Sequence, residues 1–205
     1  MPSSEEEQGV CHLIREYFAL PAQLLTSYER VCVKDLLDQR ELTVLDTLIG
    51  PTYTLNPEAC LPERWSVKGP DTVTDAASLA ALRLVLEAQG GQIDRYQAKG
   101  RAPLAAPHER GGVPTAMTMQ VPGTLFGLTR ARVPCLAFAT ISKGGISRGR
   151  ARALLQTHRL LKDGDYHLII GTLDPGRFGR LEKYQGPDGQ RALVQLLPFQ
   201  DDHAL

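Results

Sequence analysis

Residues 133–141, Val133-Pro134-Cys135-Leu136-Ala137-Phe138-Ala139-Thr140-Ile141, form a run of nine without a charge, closed by Ser142-Lys143-Gly144-Gly145. A short, uncharged, mostly apolar run bounded by turn residues predicts a buried β-strand. Next, Ser147 to about Leu161 reads as a helix, with Ser147 as its cap and Leu154, Leu155 and Leu161 toward the core. Asp163-Gly164-Asp165 marks a turn, and Tyr166 to Leu173, with Leu168-Ile169-Ile170 at its centre, predicts a second strong strand.

Working outward, Ala116 to Gln120 reads as a strand, followed by a Pro122-Gly123 turn. At the C-terminal end, Arg180 to Tyr184, a Gly-Pro-Asp-Gly turn at 186–189 and Arg191 to Phe199 predict a β-hairpin. Upstream, Thr74 to Gln89 is the clearest helix. Thr74 or Asp75 can cap it, Leu79, Leu82, Val85 and Leu86 form its apolar stripe, and Gly90-Gly91 stops it. Leu13, Ile14, Tyr17 and Phe18 place a short helix at 8–19, ending near Pro21, and helix is favoured over strand at 22–38. Residues 42–49 read as a strand before a Gly50-Pro51 break, and 51–72 are rich in proline and turn residues. Helices and strands mix without a regular βαβ rhythm, so the expected class is α+β. The expectation is one compact domain with a mixed or antiparallel sheet, a C-terminal β-hairpin and two main amphipathic helices. Within it, residues 1–7 form a disordered tail, 8–97 a helical and mixed part, 98–114 a loop or linker, and 115–205 a basic α/β part of the same domain.

The hydrophobic fraction of 42% and charged fraction of 22% are globular, and no apolar run approaches the roughly 20 residues that span a bilayer. The first seven residues are acidic, the reverse of a secretory leader, so a cytoplasmic protein that engages no membrane is expected. Cys11, Cys32, Cys60 and Cys135 are scattered, and the five histidines add no partner at zinc-site spacing. Reduced thiols, no metal and no cofactor are the expectation.

Net charge is zero, yet its distribution is uneven. Residues 1–110 carry 16 acids and 11 bases, a charge of −5, and residues 163–205 carry seven acids and four bases, a charge of −3. Between them, 52 consecutive residues contain no acid and eight bases: Arg130, Arg132, Lys143, Arg148, Arg150, Arg152, Arg159 and Lys162. A segment at +8 is the electrostatic footprint of a polyanion-binding surface. The competing reading is that the fold brings acids of the flanks against these bases.

Residues 141–152, Ile-Ser-Lys-Gly-Gly-Ile-Ser-Arg-Gly-Arg-Ala-Arg, sharpen that expectation. Three glycines let backbone N–H groups approach an anion, and they open a helix whose positive end favours phosphate. Arg148 and Arg152 are four apart, and Arg159 extends the same face. The alternative is that the glycines only fill a loop before a helix. The order of a nucleotide-binding P-loop is absent, because the lysine precedes the glycines. Only Phe126 and Phe138 are aromatic between 111 and 162, which favours backbone contact with duplex DNA or structured RNA over base stacking.

The stretch Gly145-Ile146-Ser147-Arg148-Gly149-Arg150-Ala151-Arg152-Ala153-Leu154-Leu155 resembles the Gly-x-Ile/Leu-Ser-x-Gly-His-Ala-Arg-Ala-Leu-Leu stretch of ParB-type partition proteins. Upstream, Leu55-Asn56-Pro57, Pro62-x-Arg64 and the helix ending Leu86-Glu87-Ala88-Gln89-Gly90-Gly91 are similar in order to the start of the ParB/sulfiredoxin-like domain. The resemblance covers about a quarter of the chain and implies a plasmid or phage DNA-binding role, with Arg130, Arg148 and Arg152 at phosphates. The family's Gly-x-Arg-Arg box is missing, with Gly127-Leu128-Thr129-Arg130 as its nearest counterpart, and a strand replaces the helix expected before Ser142. A second resemblance is to the chorismate-lyase-like fold. It rests on Ala137–Ala139, Ala151–Leu161 and Gly176-Arg177-Phe178-Gly179-Arg180 before Ala192–Phe199, with Gln195 where that family carries a glutamate, and it implies a small-molecule enzyme with an arginine-lined anion pocket as a further alternative.

His158 and His167 flank the end of the basic helix and are the candidate general bases of an RNA-processing endoribonuclease, with Ser142 or Tyr166 assisting. No serine–histidine–aspartate order or paired-carboxylate motif accompanies them. The leading expectation is therefore a nucleic-acid-binding protein without chemistry of its own. It acts through Arg130–Lys162 as a partition-like or regulatory factor, or with protein subunits of a larger nucleoprotein complex.

Overall fold

The computed structural model describes residues 4–56, 70–97, 116–139, 141, 166–178, 184–186 and 188–199. The chain divides into two compact units, Met1–Ala81 with Ala98–Thr115, and Leu82–Gln97 with Ala116–Leu205. The division falls inside a helix.

In the first unit, helix α1 (Ser4–Tyr17) begins with Glu5, Glu6 and Glu7. These carboxylates complement the exposed N–H groups and positive pole of a helix start, so residues assigned to a tail are helical from Ser4 onward. Val10, Cys11, Ile14 and Tyr17 recur at helical spacing and are buried. After strand β1 (Leu20–Pro21), helix α2 (Ser27–Asp38) opens on a reciprocal capping box. The Thr26 hydroxyl accepts the Glu29 N–H at 3.2 Å, and the Glu29 carboxylate accepts the Thr26 N–H at 2.7 Å.

Strands β2 (Leu42–Thr47) and β3 (Gly50–Leu55) form a hairpin whose turn is Leu48-Ile49, in a sheet of order β1-β3-β2. Gly50-Pro51, expected as a break, instead opens β3. Gly50 takes a φ of +91°, and the Thr47 hydroxyl donates to its carbonyl at 2.9 Å, which folds the chain back within two residues. Pro51 lies where β3 extends past β1, so its missing N–H removes no bond to that strand.

Helix α3 (Pro70–Ala88) starts four residues before the expected Thr74 cap, with proline in its first turn, where a missing N–H removes no helical bond. Val73, Ala76, Ala77, Leu79, Ala80, Ala81, Leu82 and Leu86 are all fully buried, so the helix is apolar on most of its circumference. It ends as expected. Gly90 adopts a φ of +87°, and the Gly91 N–H returns to the Leu86 carbonyl at 2.8 Å.

The second unit is built on a five-stranded mixed sheet in the order β4 (Gln92–Gln97), β5 (Ala116–Pro122), β6 (Arg132–Ala139), β7 (His167–Thr172), β8 (Ala192–Leu196). β4, β5 and β6 are antiparallel neighbours, whereas β6–β7 and β7–β8 are parallel. All six residues of β7 are buried, as a strand covered on both faces requires. One face packs Leu136, Phe138, Leu168 and Ile170 with Phe178 and Tyr184. On the other, Leu82 of α3 lies so near Gly171 that an added Cβ would sit 3.1 Å from its methyl carbons.

β4 had no counterpart in the sequence reading, because Gln-Ile-Asp-Arg-Tyr-Gln is a polar edge strand. The C-terminal hairpin is present as the antiparallel bridge Gln185–Arg191 across the 186–189 turn, and the strand leaving it joins the sheet parallel to β7. Cys11, Cys32 and Cys135 are buried thiols. Among the described residues, no helix is long and apolar enough to cross a membrane.

Two predictions follow from these contacts. The Tyr28 phenol donates to the Glu6 carboxylate, which, with lesser contributions from desolvation and the carboxylate's charge, pushes its pKa from 10.0 up to about 12. A raised folded-state value means that this contact stabilises fully below the ordinary tyrosine range and is lost as pH rises toward 12. An NMR titration should show late ionisation of Tyr28 and its return toward the ordinary value in Glu6→Gln. Second, a methyl at Gly123 would collide with the Arg130 carbonyl oxygen. Gly123→Ala should therefore lower unfolding free energy by about 1–3 kcal/mol, measured by urea denaturation.

Candidate nucleic-acid interface

Parallel pairing sets which residues share an end of the sheet. β6 aligns Cys135 with His167, and β7 aligns Leu168 with Ala192. The N-terminal ends of all three strands therefore lie together, with Arg132, His167 and Arg191 at or beside them. A tight connection leads from β5 into this end. Residues Gly123–Phe126 form a 3₁₀ turn, Gly127 closes it in the left-handed conformation at φ 65°, and the Leu128 N–H bonds the Gly123 carbonyl at 2.9 Å.

Arg130 and Arg132 leave this connection exposed. Arg132 Nη1 donates to the Gly90 carbonyl at 3.2 Å and the Gln120 carbonyl at 3.4 Å, so its guanidinium also ties the end of α3 to β5. Neither arginine is paired with a carboxylate among the described residues. For these two bases, the flanking acids do not supply partners there. Lys143, Arg148, Arg150, Arg152, Arg159 and Lys162 lie outside the described residues, as do His158, Ser142 and the helix expected at 147–161.

His167 is described, and its surroundings are structural. It is 9% exposed and its ring packs against Phe126 with centroids 4.7 Å apart. Its Nδ1 accepts the Arg191 backbone N–H at 3.0 Å, which places the proton of the neutral ring on Nε2. The Leu168 N–H bonds the Arg191 carbonyl at 2.9 Å, so the Arg191 backbone is held on both sides. Its side chain is held as well, with Nη1 donating to the Phe126 carbonyl at 2.6 Å. Tyr166, the other described candidate, is buried, and burial, helped by the charge of Asp94, raises its phenol pKa. It stays protonated through the neutral range.

Arg191 joins Arg130 and Arg132 at this end, and sequence reading assigned it only to a hairpin strand. Its position follows from the register of β8 on β7, which no local pattern encodes. The structure thus places three arginines from two distant segments at one end of the sheet. Among the described residues, no three histidine, cysteine, aspartate or glutamate side chains gather in a way that could hold a metal ion.

No protein-family model matches the chain, and no curated protein matches it either. Among solved structures the chain is similar to protein VC1899 from Vibrio cholerae, at 9% identity and a TM-score of 0.28. The match covers 93% of this chain and 47% of that one, so the chain spans about half the length of its structural neighbour. A likeness this slight assigns neither fold nor function.

Removing the His167 ring leaves the Arg191 N–H without its acceptor and Phe126 without its packing partner. His167→Ala should therefore destabilise the protein by about 1–3 kcal/mol, seen as a lower melting temperature by circular dichroism.

Proposed function

We propose that the protein binds nucleic acid through the phosphate backbone, using the basic segment from Arg130 to Lys162. The observation that carries this reading is the 52-residue stretch with eight bases and no acid, in a chain whose flanks are both acidic. Exposure of Arg130 and Arg132 without carboxylate partners among the described residues supports it. So does Arg191, which adds a third exposed guanidinium at the same end of the sheet. Guanidinium groups suit phosphate because their planar forks can donate two parallel hydrogen bonds.

The segment's aromatic residues favour backbone contact over base stacking. Phe126 packs on His167 and Phe138 lies in the core, so neither offers an open platform for a base. Affinity then comes from release of counterions, and a duplex or a nucleoprotein assembly is the fitting target. A partition-like or regulatory role is in keeping with this chemistry. The nuclease alternative gains nothing from His167, whose Nδ1 is taken by a backbone N–H. The lyase-like alternative gains nothing from Gln195, whose amide accepts from Gln89 at 3.4 Å and offers no carboxylate.

The test is binding to labelled duplex DNA and to RNA across a salt series, with Arg130→Ala and the double variant Arg148→Ala/Arg152→Ala alongside. Affinity should fall steeply and linearly on logarithmic axes, and each arginine removed should lower the salt slope by about 1. An absence of binding at low salt would overturn the proposal.

A further inference from the structure

At the arginine-bearing end of the sheet, between the β5–β6 connection and the 184–193 stretch, lies a pocket of about 350 Å³. Its apolar wall includes Leu125, Phe126 and Leu193, and its polar part is Tyr184, Gln185 and Arg191. Among the described lining residues none is acidic, and Arg191 is the one permanently charged group. A cavity of about 150 Å³ holds a benzene ring, so this one accommodates a substituted ring together with a polar group. An apolar wall with a few convergent polar groups is the usual composition of a small-molecule site.

Arg191 is exposed, yet it is anchored at backbone and side chain. Its N–H is held by His167 Nδ1 at 3.0 Å, its carbonyl by the Leu168 N–H at 2.9 Å, and its Nη1 by the Phe126 carbonyl at 2.6 Å. One bond to a carbonyl uses one of five guanidinium donors and leaves the charge uncompensated, because no carboxylate among the described residues pairs with it. A cation held by a backbone carbonyl at the edge of a pocket with one apolar wall is a preorganised anion receptor. The His167–Phe126 pair supports both halves, since His167 holds the arginine backbone and Phe126 contributes wall and carbonyl.

We infer that this pocket binds a small oxyanion, carboxylate or phosphate, carried on an apolar ring, with the Arg191 guanidinium on the oxyanion and the Leu125–Phe126–Leu193 wall on the ring. The inference shares Arg191 with the nucleic-acid reading but does not rest on it, because its ligand is a small molecule that binds with no nucleic acid present.

The experiment is calorimetric titration of the full chain with phenyl phosphate, benzoate, inorganic phosphate and benzylamine, with no nucleic acid present. The two ring-bearing anions should bind saturably. Inorganic phosphate should bind more weakly, and benzylamine, which carries the opposite charge on the same ring, should not bind. Preference between phenyl phosphate and benzoate identifies the oxyanion. Arg191→Met should weaken both ring-bearing anions by at least about tenfold, as loss of a charge-assisted hydrogen bond does. Leu125→Trp, which fills the apolar side, should weaken phenyl phosphate and spare inorganic phosphate. If Arg191→Met fails to fold by circular dichroism, Arg191→Lys, which keeps the charge and loses the fork, should bind with intermediate strength. Absence of saturable binding by both ring-bearing anions, or equal binding by the arginine variants, would overturn the inference. Equal affinity for inorganic and phenyl phosphate would overturn the role of the apolar wall.

Discussion

The second unit depends on the parallel pairing of β7 with a strand on each side. β7 is buried along its whole length, and its backbone pairs with β6 on one side and β8 on the other, as a strand in an apolar layer requires. Parallel neighbours put like ends together, which is why Arg132, His167 and Arg191, widely separated in the chain, converge. Gly171 lets this strand come close to α3. Its hydrogen stands where a methyl would press on Leu82 and on Leu197, so the helix end settles directly on the sheet.

A polar side chain at the start of so apolar a strand needs a partner, and the Nδ1 of His167 finds one in the Arg191 backbone N–H. That choice has consequences beyond stability. It fixes the ring tautomer and anchors the first residue before β8. It also aligns Phe126 and Arg191 around the small pocket. The histidine that sequence reading weighs as a general base thus holds the Arg191 backbone and packs on Phe126. The same end of the sheet presents Arg130 and Arg132 to solvent, so one structural device, the aligned strand ends, concentrates positive charge from two segments.

Much of the fold was legible because it is written in short-range patterns. Val133–Ala139 and Tyr166–Thr172 are apolar runs with turn residues outside them, and both are strands. Gly90-Gly91 ends α3 because a left-handed residue is needed there and glycine adopts it without strain. β4 escaped notice because an edge strand keeps polar side chains and shows little alternation. The acidic residues of α1 resembled a tail, since three consecutive glutamates carry no apolar periodicity, although a helix N-terminus favours them. Pro70 falls in a stretch rich in proline and turn residues, yet it opens α3, because the first turn of a helix tolerates proline.

Legible in the sequence alone are the α+β class, the main strands around 133–139 and 166–172, the end of the long helix, and a charge distribution whose whole positive excess lies in one segment between acidic flanks. These rest on residue type and spacing within a few positions, which local sterics and burial decide. The tertiary structure alone decided that β6, β7 and β8 run parallel, that Arg191 joins Arg130 and Arg132, and that His167 holds a backbone N–H. Each of these depends on strand register between distant segments, and register is chosen by packing of the buried faces rather than by any residue's neighbours in the chain.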